Sequence, residues 1–387
     1  MGDADNLKKK KRRIIGLVLL LIAVVVIVIV IVSLIVGYST GTFWFSGVFS
    51  QRLPEITVDG FNFEVGRSRV FANIGGSVAA AGTMGVQVFD ASGNETLREP
   101  FSLPFARPAI TSSGERCIAY DSGGNAVRVF SSTQVLYAFE TDSAIVSASI
   151  NKNGWFCIVT QGGGGLKGAV AVHDNTGTVV FRVTLFTGFA LSAHLSPDNN
   201  DLAVLTLPET GSRIMVYQGI NEDKDPDHQF DFYDKLIIDI FFRSNGDVLA
   251  LSSDSLILAE RSGDRAVLYS FTDDRLGSYT RQDDFIALHL YDYGVGFQGR
   301  LVTISSDGTV LGELVTDREI ISLSAFGKTL VALKNEGISF YNESLVEFFS
   351  PGDNISSAGA SKVLAVRENT VLAASDNSAV IISVTED

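Results

Sequence analysis

The sequence predicts an all-β protein, an eight-bladed β-propeller preceded by one transmembrane α-helix. Three observations predict it. A 23-residue apolar run without charge, 14–36, directly follows six cations. From about residue 55 the chain shows short alternating runs of Val, Ile, Leu, Phe and Tyr broken by Gly, Asn, Asp and Ser, with no amphipathic-helix period. Within that region one strand pattern recurs eight times at a mean spacing of 42 residues.

The helix comes first. At 1.5 Å per residue the run reaches about 35 Å, enough to cross a hydrocarbon core of about 30 Å with some tilt. It is rich in Val and Ile, indifferent helix formers in water, but lipid leaves the backbone only internal hydrogen bonds. Lys8 to Arg13 precede it and no cation follows until Arg52, so the positive-inside rule puts the N-terminus in the cytoplasm. A cleaved signal peptide would have an apolar core of about 7–15 residues and small residues at the cut. This core is longer, and 36–40 (Val-Gly-Tyr-Ser-Thr) is a poor cleavage site. The expected organisation is a cytoplasmic basic stub (1–13), a signal-anchor helix (14–37), a juxtamembrane linker (38–54) and an extracellular propeller (55–387). Phe43, Trp44, Phe45 and Phe49 are placed at the outer interface, where amphipathic aromatics are favoured.

Charge narrows the partners. Beyond residue 13 the chain holds 24 Lys+Arg against 42 Asp+Glu, a net charge of −18. Nucleic acid, anionic polymers and anionic membrane surfaces would be repelled. Cys117 and Cys157 are the only cysteines, a usage that fits a bacterial envelope better than a eukaryotic secretory compartment. Sequons begin at Asn94, Asn342 and Asn354, a number that chance supplies in a chain rich in Ser and Asn.

The repeated strand reads Val86-Gln87-Val88-Phe89, then Val127-Arg128-Val129-Phe130, then Val170-Ala171-Val172-His173, and so on to Val380-Ile381-Ile382-Ser383. Its aligned positions are 88, 129, 172, 216, 258, 303, 340 and 382, spaced 41, 43, 44, 42, 45, 37 and 42 apart. That period matches four-stranded propeller blades. An apolar strand precedes each copy, as at Cys117–Tyr120 or Leu202–Leu205, and a turn and a fourth strand follow, as at Val135–Phe139. The eighth unit stops after its third strand, while 56–63 is a spare strand ahead of the first. That spare strand is expected to pair with the last blade and close the ring, removing an open edge. Unit six is the weakest, because its second strand, placed around Gly294–Gln298, is rich in glycine. Seven blades is the alternative count.

With segments such as Leu195-Ser196-Pro197-Asp198 opening a strand pair, the blades resemble WD40-like and quinoprotein-alcohol-dehydrogenase-like propellers. Anchor included, the whole chain resembles an uncharacterised Firmicutes family, a domain of unknown function, of single-pass membrane-anchored propellers. The resemblance implies a fold and an address without a reaction. The Gly-His and Trp-Asp signatures of true WD40 repeats are absent.

No residue pattern marks a catalytic, cofactor-binding or metal site. Cys117 and Cys157 stand 40 residues apart at equivalent blade positions, too far apart for a disulfide, and read as buried small hydrophobes. His173, His194, His228 and His289 fall in different blades without metal-ligand spacing and read as core or rim residues. Gly162–Lys167 has four glycines and a lysine but no following Ser/Thr and helix, so it reads as a hairpin loop instead of a phosphate cradle. Glu222–Asp227 lacks the interleaved spacing of a calcium loop and reads as solvated. Quinone-dependent dehydrogenases repeat tryptophan docking motifs, whereas this chain has only Trp44 and Trp155.

The expected function is therefore a non-catalytic interaction or sensing module of the cell envelope, without cofactor, taking a protein or peptide partner. The alternative is an extracellular enzyme acting on polysaccharide or a small ligand with loop-borne carboxylates.

Overall fold

Each middle strand has neighbours on both faces, and this explains the composition of the ring. In the computed structural model, which describes residues 55–220, 225–292, 299–317, 319–350, 359–375 and 378–385, thirty-two strands form eight four-stranded sheets. The expected stub, anchor and linker (1–13, 14–37, 38–54) lie outside the described residues. Among the described residues no helix is long and apolar enough to cross a membrane.

The count of eight blades holds. All eight copies of the repeated strand are third strands, for example β4 (Gly85–Phe89), β16 (Ser212–Gln218) and β28 (Gly337–Asn342). In β15 (Asp201–Leu207), a second strand, Leu202 and Val204 pack toward the preceding blade while Ala203 and Leu205 pack toward the next. Successive side chains point to opposite faces. Both faces are core here, so Leu202–Leu205 is apolar without a break. Eight clusters of buried side chains result, each filling one gap between neighbouring blades.

One sequence expectation needs correction. The second strand of blade six is β23 (Phe285–Asp292), which pairs with the third strand β24 (Gly299–Ser305) from Phe285↔Ser305 to Tyr291↔Gly299. Gly294–Gln298 falls in the connection between them, outside the described residues. Phe285–Leu290 is as fully buried as any second strand.

The eighth sheet runs β30 (Lys362–Arg367), β31 (Thr370–Ala374), β32 (Ser378–Thr385), then β1 (Glu55–Asn62) at its outer edge. A Cβ on Gly60 would lie 4.0 Å from the Ala379 carbonyl oxygen, so the end of β1 sits beside the start of β32 and the two run antiparallel. Phe61 and Phe63 then cover the seam between blades eight and one. Phe61 lies 4.4 Å from Phe89 and Phe63 lies 5.0 Å from Phe71, centroid to centroid.

The innermost strands follow a different rule. Blades three to seven share a bulge in the first half of the inner strand, and the residue after it is Ser147, Ser192, Asp239, Ser278 or Ser322. Neighbouring inner strands belong to different sheets, and short polar side chains bridge them. Ser147 Oγ donates to Leu191 O (2.8 Å) and Ser149 Oγ to Ala193 O (2.6 Å). Ser324 Oγ accepts from Ala365 N (2.9 Å), and Asn73 Nδ2 reaches both Ala365 O and Val366 O. A central wall rich in serine is the result.

Candidate functional site

An antiparallel blade divides its connections between two ends of the ring. One end, the opening face, carries the starts of the inner strands, the second-to-third connections and the links from one blade to the next. The other, the turn face, carries the first-to-second and third-to-fourth turns, and β1 enters the ring from this side.

The central channel is one candidate site. At the opening face a cleft of about 460 Å³ is lined by Val70, Phe71, Pro108, Ile110, Ile321 and Val363, with Lys362 and Ser322 among them. These residues belong to the inner strands of blades seven, eight, one and two. Across the ring, the inner strands β14 (Phe189–Leu195), β18 (Ile237–Phe242) and β22 (Asp274–Arg281) hold a polar cluster. Tyr279 OH donates to Asp239 Oδ2 (3.2 Å), Arg281 Nε stands 3.8 Å from the same oxygen, and His194 Nε2 stands 3.9 Å from Oδ1. Arg281 also lies over the Phe241 ring, 4.9 Å from its centroid. Burial pushes His194 down to about 4, against the pull of Asp239 and with Arg281 adding to the drop, so the ring is neutral at neutral pH. Burial, reinforced by the Asp239 charge, raises the Tyr279 hydroxyl. The cluster stands at the places where other blades use serine to bridge neighbours, and Asp239 is committed to those contacts. Its chemistry is inter-blade linkage. At the turn face Lys152 of blade three pairs with Asp283 of blade six, joining opposite sides of the channel's far end.

The opening face itself is the second candidate. Fourteen large apolar side chains stand exposed among the described residues, and eight of them are here. Phe186 and Phe189 lie where blade three passes to blade four, and Tyr233, Leu236 and Ile238 where blade four passes to five. Met84, Leu103 and Ile321 complete the set. The other six lie on or immediately beside outer strands. Lys167 Nζ caps the Phe189 ring at 4.8 Å.

The residues singled out in the sequence are scattered. Cys117 and Cys157 are free thiols in the second strands of blades two and three, fully buried, and burial raises both. His173 is stacked on Phe156 (4.5 Å), with Nδ1 3.0 Å from Gly177 O. His228 opens the outer strand of blade four, whose inner strand carries His194, so these two histidines share a blade, contrary to the expectation of four different blades. Gly162–Lys167 links the second and third strands of blade three on the opening face, and a Cβ on Gly163, Gly164 or Gly165 would meet nothing. Of Glu222–Asp227, residues 222–224 lie outside the described residues, and Asp227 Oδ2 accepts from Gln218 N (2.6 Å). Trp155 packs at the edge of the core between blades three and four, and Trp44 lies outside the described residues. Among the described residues no group of His, Cys, Asp and Glu could hold a metal ion. The inner-wall cluster escaped sequence reading, although His194, Asp239 and Arg281 stand 45 and 42 residues apart, one repeat each.

His289 differs from the other histidines. It is fully buried in β23, its ring 4.2 Å from that of Tyr291, and neither ring nitrogen has a hydrogen-bond partner. Burial pushes it down to about 4. A histidine that is neutral when folded and ordinary when unfolded contributes stability above the unfolded value, 6.5, that is lost as pH falls through the folded value. Stability is therefore expected to drop between pH 6.5 and 4, by about 3 kcal/mol for each of His194 and His289 at the lower end. His289→Leu, which removes two unsatisfied nitrogens at similar volume, should raise the melting temperature at pH 7 and flatten this acid slope. Thermal unfolding followed from pH 7 to pH 4 is the check; an unchanged slope in the variant would contradict the assignment.

Comparison with known proteins follows the same geometry. The family described as "Family of unknown function (DUF5711)" matches residues 58–351. Among solved structures, the C-terminal WD40 domain of Sif2 is similar at 16% identity and a TM-score of 0.58, covering 84% of this chain and 99% of that one. The WD40 domain of SCAP from fission yeast is similar at 12% identity and 0.54, covering 85% and 98%. BamB from Moraxella catarrhalis is similar at 12% and 0.52, covering 85% and 100%. At such identities the likeness shows the propeller fold alone. No curated protein matches the chain.

Proposed function

We propose, for a chain that belongs to the DUF5711 family of unknown function, that the ring is a non-catalytic protein-interaction module held at the outer surface of a cell membrane by helix 14–37. The observation that carries the reading is the gathering of eight of fourteen exposed large apolar side chains on the opening face. Scattered surface hydrophobics are ordinary, but a concentration on one face of a ring marks a place where another molecule removes them from water. The seam strand β1 starts from the turn face. The propeller architectures of Sif2, SCAP and BamB accord with a ring that works by its surfaces, and function resides in such surfaces and not in the fold.

Two measurements test this reading. Both native cysteines are buried, so a single exposed cysteine at Thr133 reports topology cleanly. A membrane-impermeant maleimide should label Thr133→Cys in intact cells without permeabilisation; labelling only after permeabilisation would refute the address. A photo-crosslinking residue at Tyr233 should give a reproducible protein adduct in those cells, and one at Ser92 on the turn face should not. Equal adducts from both faces, or none from Tyr233, would refute the docking role.

A further inference from the structure

We propose that the sector of the opening face over blades three to five docks an apolar segment of a partner protein that is flanked by lysine or arginine. This rests on the interaction reading and names the partner's chemistry.

The sector is continuous. Lys167 N donates to Leu185 O (2.7 Å), tying the glycine-rich loop of blade three to the strand end that leads into Phe186. A Cβ on Gly188 would lie 3.4 Å from Pro208 N, and one on Gly211 would lie 2.8 Å from the Tyr233 carbonyl carbon. Loop 161–167, the Phe186–Phe189 corner, the 208–211 turn and the Tyr233–Leu236 link therefore abut in that order. Phe186 and Tyr233 are 72% and 70% exposed, which is costly for rings of this size in water. The open space around Gly163–Gly165 lets a partner's backbone approach that loop without side-chain obstruction.

Charge identifies the occupant. Glu209 and Asp234 are exposed within the sector, Asp142 and Asp273 are exposed on the inter-blade links to either side of it, and none of the four has a hydrogen-bond or ion-pair partner among the described residues. Lys167 is engaged with the Phe189 ring and Lys235 with Asp254 (2.6 Å). The rim is thus anionic and its cations are already taken. A second copy of this chain would bring the same acidic rim, and a net charge of −18 beyond residue 13, into contact with its like. Anionic lipid meets the same repulsion. A basic-flanked apolar segment satisfies both the exposed rings and the free carboxylates.

The test pans a short random-peptide display library against the full-length protein in phosphatidylcholine nanodiscs. Enriched sequences should combine aromatic or aliphatic residues with Lys or Arg. Affinity of the best peptide should fall about tenfold or more in the double variant Phe186→Ser, Phe189→Ser. It should fall about threefold or more, with a weaker salt dependence, in Glu209→Lys, Asp234→Lys. The turn-face variant Ser92→Lys should leave it unchanged. Unaltered thermal unfolding shows that the exposed substitutions leave the ring folded. Enrichment of apolar sequences without basic residues would overturn the proposed chemistry and leave the interaction reading standing. Enrichment insensitive to Phe186 and Phe189 would overturn the sector. No enrichment at all would overturn both. A dimer that light scattering finds in the parent protein and not in the Phe186→Ser, Phe189→Ser variant would show a second copy covering the face, and would overturn the proposal.

Discussion

Deleting residues 55–63 is expected to abolish cooperative folding of the ring. The deletion strips the outer strand from β32 and leaves a row of unpaired backbone groups at the one place where the ring closes. It also removes Phe61 and Phe63, which cover Phe71 and Phe89 across the seam. Loss of a buried phenylalanine alone costs about 3–5 kcal/mol. A domain has in total about 5–15 kcal/mol to lose. Thermal unfolding by circular dichroism should lose its sigmoidal transition, and light scattering should rise. Grafting the same nine residues after Asp387 through a short Gly-Ser turn should restore the transition, because the strand would then enter the same slot from the same face. A deletion variant that melts like the parent would show that the seam strand is dispensable.

What the sequence disclosed, and what it hid, follows from where each strand packs. Third strands such as Val127–Phe130 and Ile214–Tyr217 are buried on both faces, so their apolar pattern repeats strongly enough to count blades. Second strands are equally apolar, and blade six looks weak in the sequence only because its glycines lie just beyond Asp292, where the second strand Phe285–Asp292 has already ended. Inner strands left almost no trace. Ile145–Ile150 and Asp274–Arg281 carry serines, charges and a bulge, because their sideways partners are reached by polar side chains and not by apolar packing. The candidate docking face was invisible for the opposite reason. Phe186, Tyr233 and Leu236 are the residue types of a core, and only the fold shows that they stand in water.

Gly211→Ala is expected to destabilise the ring by about 3–5 kcal/mol, far beyond an ordinary surface substitution. Gly211 ends the 208–211 turn with φ +67, a left-handed conformation that costs a side chain about 1–2 kcal/mol. A Cβ there would also lie 1.8 Å from the Phe232 carbonyl oxygen. That oxygen belongs to the backbone of the neighbouring outer strand, β17 (His228–Phe232), so a side chain cannot swing aside to relieve the clash. The strand pair Ser212↔Phe232 must part instead. Gly163→Ala is the matched control: its Cβ would meet nothing, and its stability should stay within about 0.5 kcal/mol of the parent. Chemical denaturation of the two variants checks both values. Equal midpoints would show that the turn yields more easily than its geometry indicates.

Ring closure by β1 also sets a schedule for biogenesis. The first strand of the ring to be synthesised is bound by the last, and 315 residues lie between Asn62 and Ser378. At about 5–20 residues per second, β1 waits roughly 15–60 s for its partner to exist. Blades one to seven can each fold from contiguous chain during that interval, as local hairpins do, while Phe61 and Phe63 remain uncovered. The final step is a single long-range encounter, the slowest kind of contact to form. A chaperone, or a pause in export, would have its greatest influence on that one strand.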